Sequence, residues 1–152
     1  MVRSGKRIRL CAALVICNIA FIWGNSLLPG EISGAISDFV KGLLEAILGS
    51  GDGQGGGYLI RKIGHVAEFT CLGLLLRWLF GMLTRKKWQS YGMPLACGVL
   101  VAAVDETIQM FVPDRGPRIT DVGIDTLGVI LGIVIISLIT HIKSNKMKEN
   151  VL

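Results

Sequence analysis

Four long apolar segments, separated by shorter polar ones, dominate the pattern of the chain. They extend over residues 8–28, 59–83, 91–112 and 119–142, with approximate ends. An α-helix needs about 20 such residues to cross about 30 Å of hydrocarbon, and each segment is long enough. The pattern predicts an all-α, polytopic membrane protein in which four transmembrane helices form one bundle.

The connection between the first two segments has a different pattern, over residues of about 31–48. Polar side chains such as Ser33, Ser37 and Asp38 alternate at helical spacing with apolar ones. The apolar positions are Ile32, Ile36, Phe39, Val40, Leu43, Leu44 and Ile47. This spacing predicts an amphipathic helix that either lies in the outer membrane interface or covers the bundle as a lid. The glycine-rich residues that follow it predict a flexible tether.

Basic residues are concentrated beside the apolar segments on one predicted side. They are Arg3, Lys6, Arg7 and Arg9 before the first segment, Arg85, Lys86 and Lys87 after the second, and Lys143, Lys146 and Lys148 after the fourth. The connection over residues 29–58 has a single lysine, Lys41. Because cytoplasmic loops carry an excess of lysine and arginine, we expect both termini in the cytoplasm and this connection outside.

Composition agrees with one membrane domain over residues 1–152. Hydrophobic residues make up 51% of the chain, mean hydropathy is +0.59, and 20 glycines would let helices approach closely. The net charge of +5 does not indicate nucleic-acid binding, because the basic residues flank apolar segments. All 4 cysteines lie within these segments, which predicts packing rather than disulfides.

Ionisable and amide side chains interrupt three of the apolar segments, always near the same predicted side of the membrane. Lys62, His65 and Glu68 follow one another at intervals of three residues, so they share a helix face. The others are Asp105, Glu106 and Gln109 late in the third segment, and Asp121 and Asp125 early in the fourth. Since successive segments cross in opposite directions, all of these groups fall in the outer half of the bundle.

Lipid is a costly environment for so many charges, at about 2.5–3.5 kcal/mol for each one near the membrane centre. We therefore expect the carboxylates to face one another, nearby basic groups or water. The basic groups are Arg61, Lys62, Arg115 and Arg118. The carboxylates are Glu68, Asp105, Glu106, Asp121 and Asp125, so the two sets together have one net negative charge. The pattern predicts a single polar cavity open to the outer side, with Arg115 and Arg118 held over its mouth by a tight loop.

Three stretches of the sequence resemble, in order, the motifs of VanZ-like membrane proteins. They are SLLPG preceded by Asn25, RKIGHVAEF followed by a Leu-Gly pair, and DETIQMFVPDRGPRITDVGIDTLGVILG. The resemblance extends from Asn25 to about Gly132. It implies a small bacterial multi-pass protein of the cytoplasmic membrane, and the namesake of the family is associated with low-level resistance to the glycopeptide teicoplanin.

The resemblance also implies which positions belong to the family's motifs. These are Lys62, His65, Glu68, Asp105, Glu106, Gln109, Arg115, Asp121 and Gly128. Two positions depart from the pattern: Asp114 stands where glycine is expected, and Asp125 where asparagine is common. An additional carboxylate at either position would change the local charge or the affinity for a metal.

One functional hypothesis is a site that binds or modifies the headgroup of an outer-leaflet, lipid-linked molecule. The candidate catalytic residues are His65, Glu68, Asp105, Glu106 and Asp121, and the candidate substrate-binding residues are Lys62, Gln109, Arg115, Arg118 and Asp125. Arginine suits phosphate, and a desolvated imidazole or carboxylate suits proton transfer. The same groups could hold a divalent cation, so the cofactor remains open.

Other functions fit the same residues. A proton-linked or ion-linked transporter uses intramembrane histidine and carboxylates as relay groups. A non-catalytic accessory protein would bind a lipid-linked envelope precursor or a glycopeptide without turnover. The charges could also form a structural ion-pair network that fixes the register of the helices. Membrane lipids are partners in every case, and the sequence does not determine the oligomeric state.

Overall fold

The described part of the chain, residues 2–48, 56–116 and 118–149 of this computed structural model, consists of five α-helices without strands. The helices are α1 (Val2–Ser26), α2 (Gly30–Leu48), α3 (Gly56–Leu83), α4 (Lys87–Gln109) and α5 (Ile119–Glu149). All but α2 contain a stretch long and apolar enough to cross a membrane. The predicted all-α, polytopic bundle with an additional amphipathic helix is confirmed.

Helix ends differ from the predicted ones where local chemistry overrides hydropathy. The third transmembrane helix occupies Lys87–Gln109 rather than 91–112. After Gln109 the chain continues in turns toward Pro113, which cannot donate a hydrogen bond and disfavours helix at the preceding residue. Both α1 and α5 extend into their basic tails, because lysine and arginine are good helix formers. Most of the predicted tether, residues 49–55, lies outside the described residues.

The contacts between helices establish their directions. Cys11 and Asn25 of α1 contact Leu75 and Glu68 of α3, so these two helices are antiparallel. The last residue of α4, Gln109, meets Ser26 at the end of α1. We call this end of the bundle the site end: α1 and α4 end there, and α3 and α5 begin there. The opposite end contains the start of α1, the turn between α3 and α4, and the end of α5.

Glycines bring the parallel helices α3 and α5 into backbone contact. A Cβ atom on Gly132 would collide with the carbonyl oxygen of Thr70, and one on Gly73 with that of Val129. At Gly128 an added Cβ would lie 2.9 Å from the carbonyl oxygen of Val66. Gly128 and Gly132 form the small-xxx-small spacing that permits close helix packing in membranes. This contact aligns the first turns of α3 and α5 at the site end.

Helix α2 turns its serine side, together with the neighbouring Ile36 and Val40, toward the bundle. Ser37 is 8% exposed and lies near α3, whereas an apolar stripe runs along the outside of the helix. The stripe consists of Ile32, Phe39 and Leu43, all of which are exposed. The helix therefore covers part of the site end, and its apolar stripe is suited to contact with lipid.

Candidate functional site

A polar cavity of about 170 Å³ lies between α3, α4 and α5 at the site end. Its lining residues are Arg61, Lys62, His65, Glu106, Gln109, Gly116, Arg118, Asp121 and Asp125. Seven of the ten predicted site residues are in this set. The other three, Glu68, Asp105 and Arg115, lie around or behind the cavity and are described below.

Helical spacing directs these side chains into one space. Lys62 and His65 are three residues apart on α3, and Asp121 and Asp125 are four apart on α5, so each pair shares a helix face. Because α3 and α5 are parallel, their first turns lie side by side. There Lys62 forms an ion pair with Asp121, both of them partly buried.

Glu106 joins the end of α4 to the start of α5. Its Oε1 atom accepts a hydrogen bond from the backbone N–H of Arg118, the residue immediately before α5. A carboxylate at this position is favoured, because the first N–H groups of a helix have no partner within the helix. The Oε2 atom is buried and has no hydrogen-bond partner among the described residues. Glu106 therefore holds the loop and retains one oxygen atom for another contact.

Asp105 is 0% exposed and lies behind the cavity wall. Its Oδ2 atom accepts a hydrogen bond of 2.9 Å from Nε2 of Gln109, one helical turn along α4. The same Nε2 atom lies 3.2 Å from the hydroxyl oxygen of Ser26 on α1. The Asp105 carboxylate is therefore oriented by two helices.

A second cavity, of about 230 Å³, lies under α2, and we call it the α2 cavity. Ser33, Ser37, Ile36 and Val40 of α2 line one side of it. Its other lining residues are Asn25, Leu28, Ile60, Arg61, Gly64, His65, Glu68 and Arg115. Since Arg61 and His65 border both cavities, they separate the polar cavity from the α2 cavity.

Glu68 belongs to the α2 cavity rather than to the polar cavity. Its Oε1 atom accepts a hydrogen bond of 2.6 Å from the side-chain amide of Asn25. This bond connects α3 to the last turn of α1. Asn25 thus positions Glu68.

Arg115 holds the end of α1 rather than the mouth of the polar cavity. Its Nε donates to the carbonyl oxygen of Leu28 at 3.0 Å, and its Nη2 to that of Asn25 at 2.9 Å. Carbonyl groups at the end of a helix lack partners within the helix, and an arginine can satisfy them. Burial lowers the pKa of the Arg115 guanidinium, and the positive charge of Arg61 lowers it further, but arginine stays protonated in proteins.

The loop of residues 110–116 is tied to the start of α2 by its backbone. The N–H group of Gly30 donates to the carbonyl oxygen of Pro113 at 3.1 Å, and a Cβ on Gly30 would collide with the backbone of Asp114. Asp114 itself has a φ of 57°, in the left-handed region. Glycine adopts this conformation without strain, which gives a physical reason for the glycine that the family resemblance expects there.

The comparison with known families decides the relationship of this chain. The profile described as VanZ/LLP1 matches residues 11–140, which include the whole of both cavities. The chain belongs to the VanZ/LLP1 family. No curated protein and no solved structure matches it significantly. Its family membership and four apolar helices make it a multi-pass membrane protein.

Within this VanZ/LLP1 family member, three side chains have the composition of a metal site. One potential ligand atom each from His65, Asp105 and Asp125 lies within 4.8 Å of the other two. His65 and Asp125 line the polar cavity, so the group has access to it. The three residues come from three different helices, and only the packing of the bundle brings them together.

Sequence reasoning left open whether α2 lies in the interface or covers the bundle, and it did not identify the serines of α2 as cavity residues. Ser33 and Ser37 were expected on the polar face of that helix, and they line the α2 cavity. Their spacing of four residues showed that they share a face, and the direction of that face depends on the packing against α3. Gly116 also lines the polar cavity, and no property of its side chain could have identified it.

Proposed function

We propose that this protein binds the phosphate-bearing headgroup of a lipid-linked cell-envelope precursor in the polar cavity. Through this binding it would influence susceptibility to glycopeptides such as teicoplanin. The proposal places the site end at the outer leaflet of a bacterial cytoplasmic membrane, with both chain termini in the cytoplasm.

The observation that carries the proposal is the set of basic groups on the wall of the polar cavity. Arg61, Lys62 and Arg118 line it, and Arg118 is exposed. Guanidinium groups form charge-assisted, bidentate hydrogen bonds with phosphate, and an ammonium group supplies a further point charge. An exposed arginine beside a cavity at the end of a membrane bundle is suited to a phosphate at the lipid headgroup level.

Charge distribution supports the proposed orientation. The opposite end contains Lys6 and Arg7 at the start of α1, Arg85 and Lys86 in the turn after α3, and Lys143 late in α5. An excess of such residues beside transmembrane helices favours the cytoplasmic side. The site end then faces outward, toward the leaflet from which glycopeptides approach the cell.

His65 and Glu106 are the residues whose loss should affect the bound headgroup most without removing a basic group. Both line the polar cavity, and Glu106 has a buried oxygen atom that no described residue contacts. In this proposal they position the headgroup, and they are also the groups that could move a proton if the site turns its ligand over.

The test is teicoplanin susceptibility of a sensitive host that expresses wild type, Glu106→Gln, His65→Ala or His141→Ala, with membrane levels measured for each. His141 is a matched control, since it is a histidine near the opposite end of α5. We expect wild type and His141→Ala to protect, and the other two variants to lose protection at equal membrane levels. Equal protection by all four proteins would contradict the proposal.

A further inference from the structure

Two buried carboxylates, those of Asp105 and Asp125, lie beside His65, and the proposed headgroup contacts use neither of them. Asp105 and Asp125 are 0% and 3% exposed, and His65 is partly buried. Arg61, Lys62 and Arg118 of the polar cavity can contact a phosphate without the participation of these two carboxylates. Two carboxylates and an imidazole at this separation are, by contrast, a familiar set of ligands for a divalent metal ion.

A buried oxygen atom of Asp105 is available for such an ion. Oδ2 is occupied by the amide of Gln109, whereas Oδ1 is buried and has no hydrogen-bond partner in the described part of the chain. A buried acceptor without a partner is destabilising, and more so when it is charged. A metal ion within reach of Oδ1 would remove this cost.

The residues around Asp105 act as supporting residues do in metal sites. Carboxylate ligands are usually held by further hydrogen bonds, and these fix the direction of the free oxygen atom. Here Gln109 donates to Asp105 and contacts Ser26, so the carboxylate is fixed between α4 and α1. The ligand group is therefore pre-oriented.

The carboxylates around the two cavities outnumber the basic side chains there. Glu68, Asp105, Glu106, Asp121 and Asp125 are opposed by Arg61, Lys62, Arg115 and Arg118, and Lys62 already pairs with Asp121. Two carboxylates close together in a buried site cannot both stay ionised without compensation. The alternatives are a bound cation or a proton shared between the acids, and the imidazole nitrogen nearby favours the cation.

The ligand types indicate which cation fits. Imidazole nitrogen suits Zn²⁺ and its neighbours, whereas Mg²⁺ and Ca²⁺ prefer oxygen atoms alone. Three protein ligands with a fourth position open to a cavity are typical of zinc sites that bind water or substrate. Since His65 and Asp125 line the polar cavity, a ligand there could reach the fourth position.

We propose that His65, Asp105 and Asp125 bind one divalent transition-metal ion, with Zn²⁺ as the preferred ion, beside the polar cavity. This deepens the proposed function and rests on it in one respect: the ion would contact a phosphate oxygen of the headgroup. Metal binding itself needs no headgroup, so the two proposals can fail separately.

The experiment measures metal binding to the full-length protein in detergent. Wild type, Asp105→Asn, Asp125→Asn and Asp38→Asn are stripped with a chelator, titrated with ZnCl₂ and then analysed for bound metal by mass spectrometry. Asp38 is an exposed residue of α2 outside both cavities, so its variant controls for the loss of one carboxylate. Binding of Co²⁺, followed by its visible absorption, reports the ligand field independently.

We expect one Zn²⁺ per chain in wild type and in Asp38→Asn. Loss of a supporting residue lowers metal affinity by roughly 10–100-fold, so the Zn²⁺ affinity of Gln109→Leu should fall within that range. The Zn²⁺ affinity of Asp105→Asn and of Asp125→Asn should fall further, because each variant loses a metal ligand. Should a ligand variant fail to fold, the wild type decides the question, because removal of the metal must lower its melting temperature and ZnCl₂ must restore it.

Two results would overturn the metal proposal. One is a wild type that takes up no Zn²⁺ or Co²⁺, and the other is equal uptake by the ligand variants; either result favours two acids that share a proton. A headgroup that binds without metal would leave the proposed function intact. A bound metal with no headgroup affinity would refute the proposed function and leave the metal site intact.

Discussion

At the site end the helices bury Asp105, Glu106 and Asp125, whereas toward the opposite end they bury Cys11, Val15 and Leu76. The four transmembrane helices run through both regions, so the difference lies in the side chains that are buried at each end. Toward the opposite end the described residues pack through apolar side chains without a buried carboxylate. Buried charge seldom adds stability over apolar residues of similar size. The carboxylates at the site end are therefore better explained by binding than by stability.

The contact between α3 and α5 is the feature on which both regions depend. It places the parallel first turns side by side, and so it brings Lys62 near Asp121 and His65 near Asp125. Substitutions in this contact should affect the whole molecule. Substitutions of exposed site residues should affect binding alone, and the following predictions test that division.

The largest expected effect is that of Gly132→Ala, in the middle of the contact. The new Cβ would collide with the backbone of Thr70, so the two helices must separate. We expect a loss of about 3 kcal/mol or more, at the upper limit of overpacking. Thermal unfolding in detergent measures it. Gly123→Ala on the same helix is the control: it has open space around it and should be neutral or slightly stabilising. A similar loss of stability in both variants would show that the contact between α3 and α5 does not determine the stability of the bundle.

An intermediate effect is expected for Arg115→Met. It removes the hydrogen bonds to the carbonyl groups of Asn25 and Leu28 that fix the end of α1. Since charge-assisted bonds contribute about 1.5–3 kcal/mol, we expect unfolding to become easier by about 2–3 kcal/mol.

The matched variant is Arg118→Met, because the side chain of Arg118 is exposed. Its unfolding free energy should change by no more than about 0.5 kcal/mol. Chemical denaturation of the two variants under one set of conditions measures the difference. If Arg118→Met were the less stable of the two, the roles assigned to these arginines would be wrong.

The smallest expected effect is a gain from Asp114→Gly. Asp114 has a φ of 57°, and glycine relieves the strain of that conformation at some cost in unfolded-chain entropy. A net stabilisation of about 0.5–1 kcal/mol should appear as a higher melting temperature. Asp38→Gly, within α2, should instead destabilise by about 0.3 kcal/mol, because glycine is a slightly poorer helix former than aspartate. A loss of stability on Asp114→Gly would mean that the Asp114 side chain itself holds the loop.

Much of the fold follows from hydropathy, because an apolar segment that crosses lipid must satisfy its backbone hydrogen bonds within itself. Four apolar segments had to become helices, and their alternating directions put Lys62, Glu106 and Asp121 at one end. The parallel contact of α3 and α5 did not follow, because the sequence does not say which helices are neighbours. Gly73 and Gly132 resemble the other glycines until their partners are known.

The site was predictable as a set of residues but not as an arrangement. Helical spacing identified His65, Asp121 and Asp125, and the structure brings them together. The loop residue Arg115 was expected over the cavity mouth, but it bonds to backbone carbonyl groups. Those acceptors exist only where α1 ends against the loop, so no local pattern near Arg115 indicates them.

The most direct test of the central claim compares arginines at the two ends for binding of a phosphorylated lipid. Wild type, Arg118→Ala and Arg77→Ala are placed in lipid nanodiscs and titrated with polyprenyl phosphate, with polyprenol as the uncharged control. Arg77 lies 4.2 Å from the centre of the Tyr91 ring, away from the site end. We expect phosphate-dependent binding by wild type and Arg77→Ala, and at least a tenfold weaker affinity for Arg118→Ala. Equal affinities of all three proteins, or equal binding of polyprenol, would contradict the account.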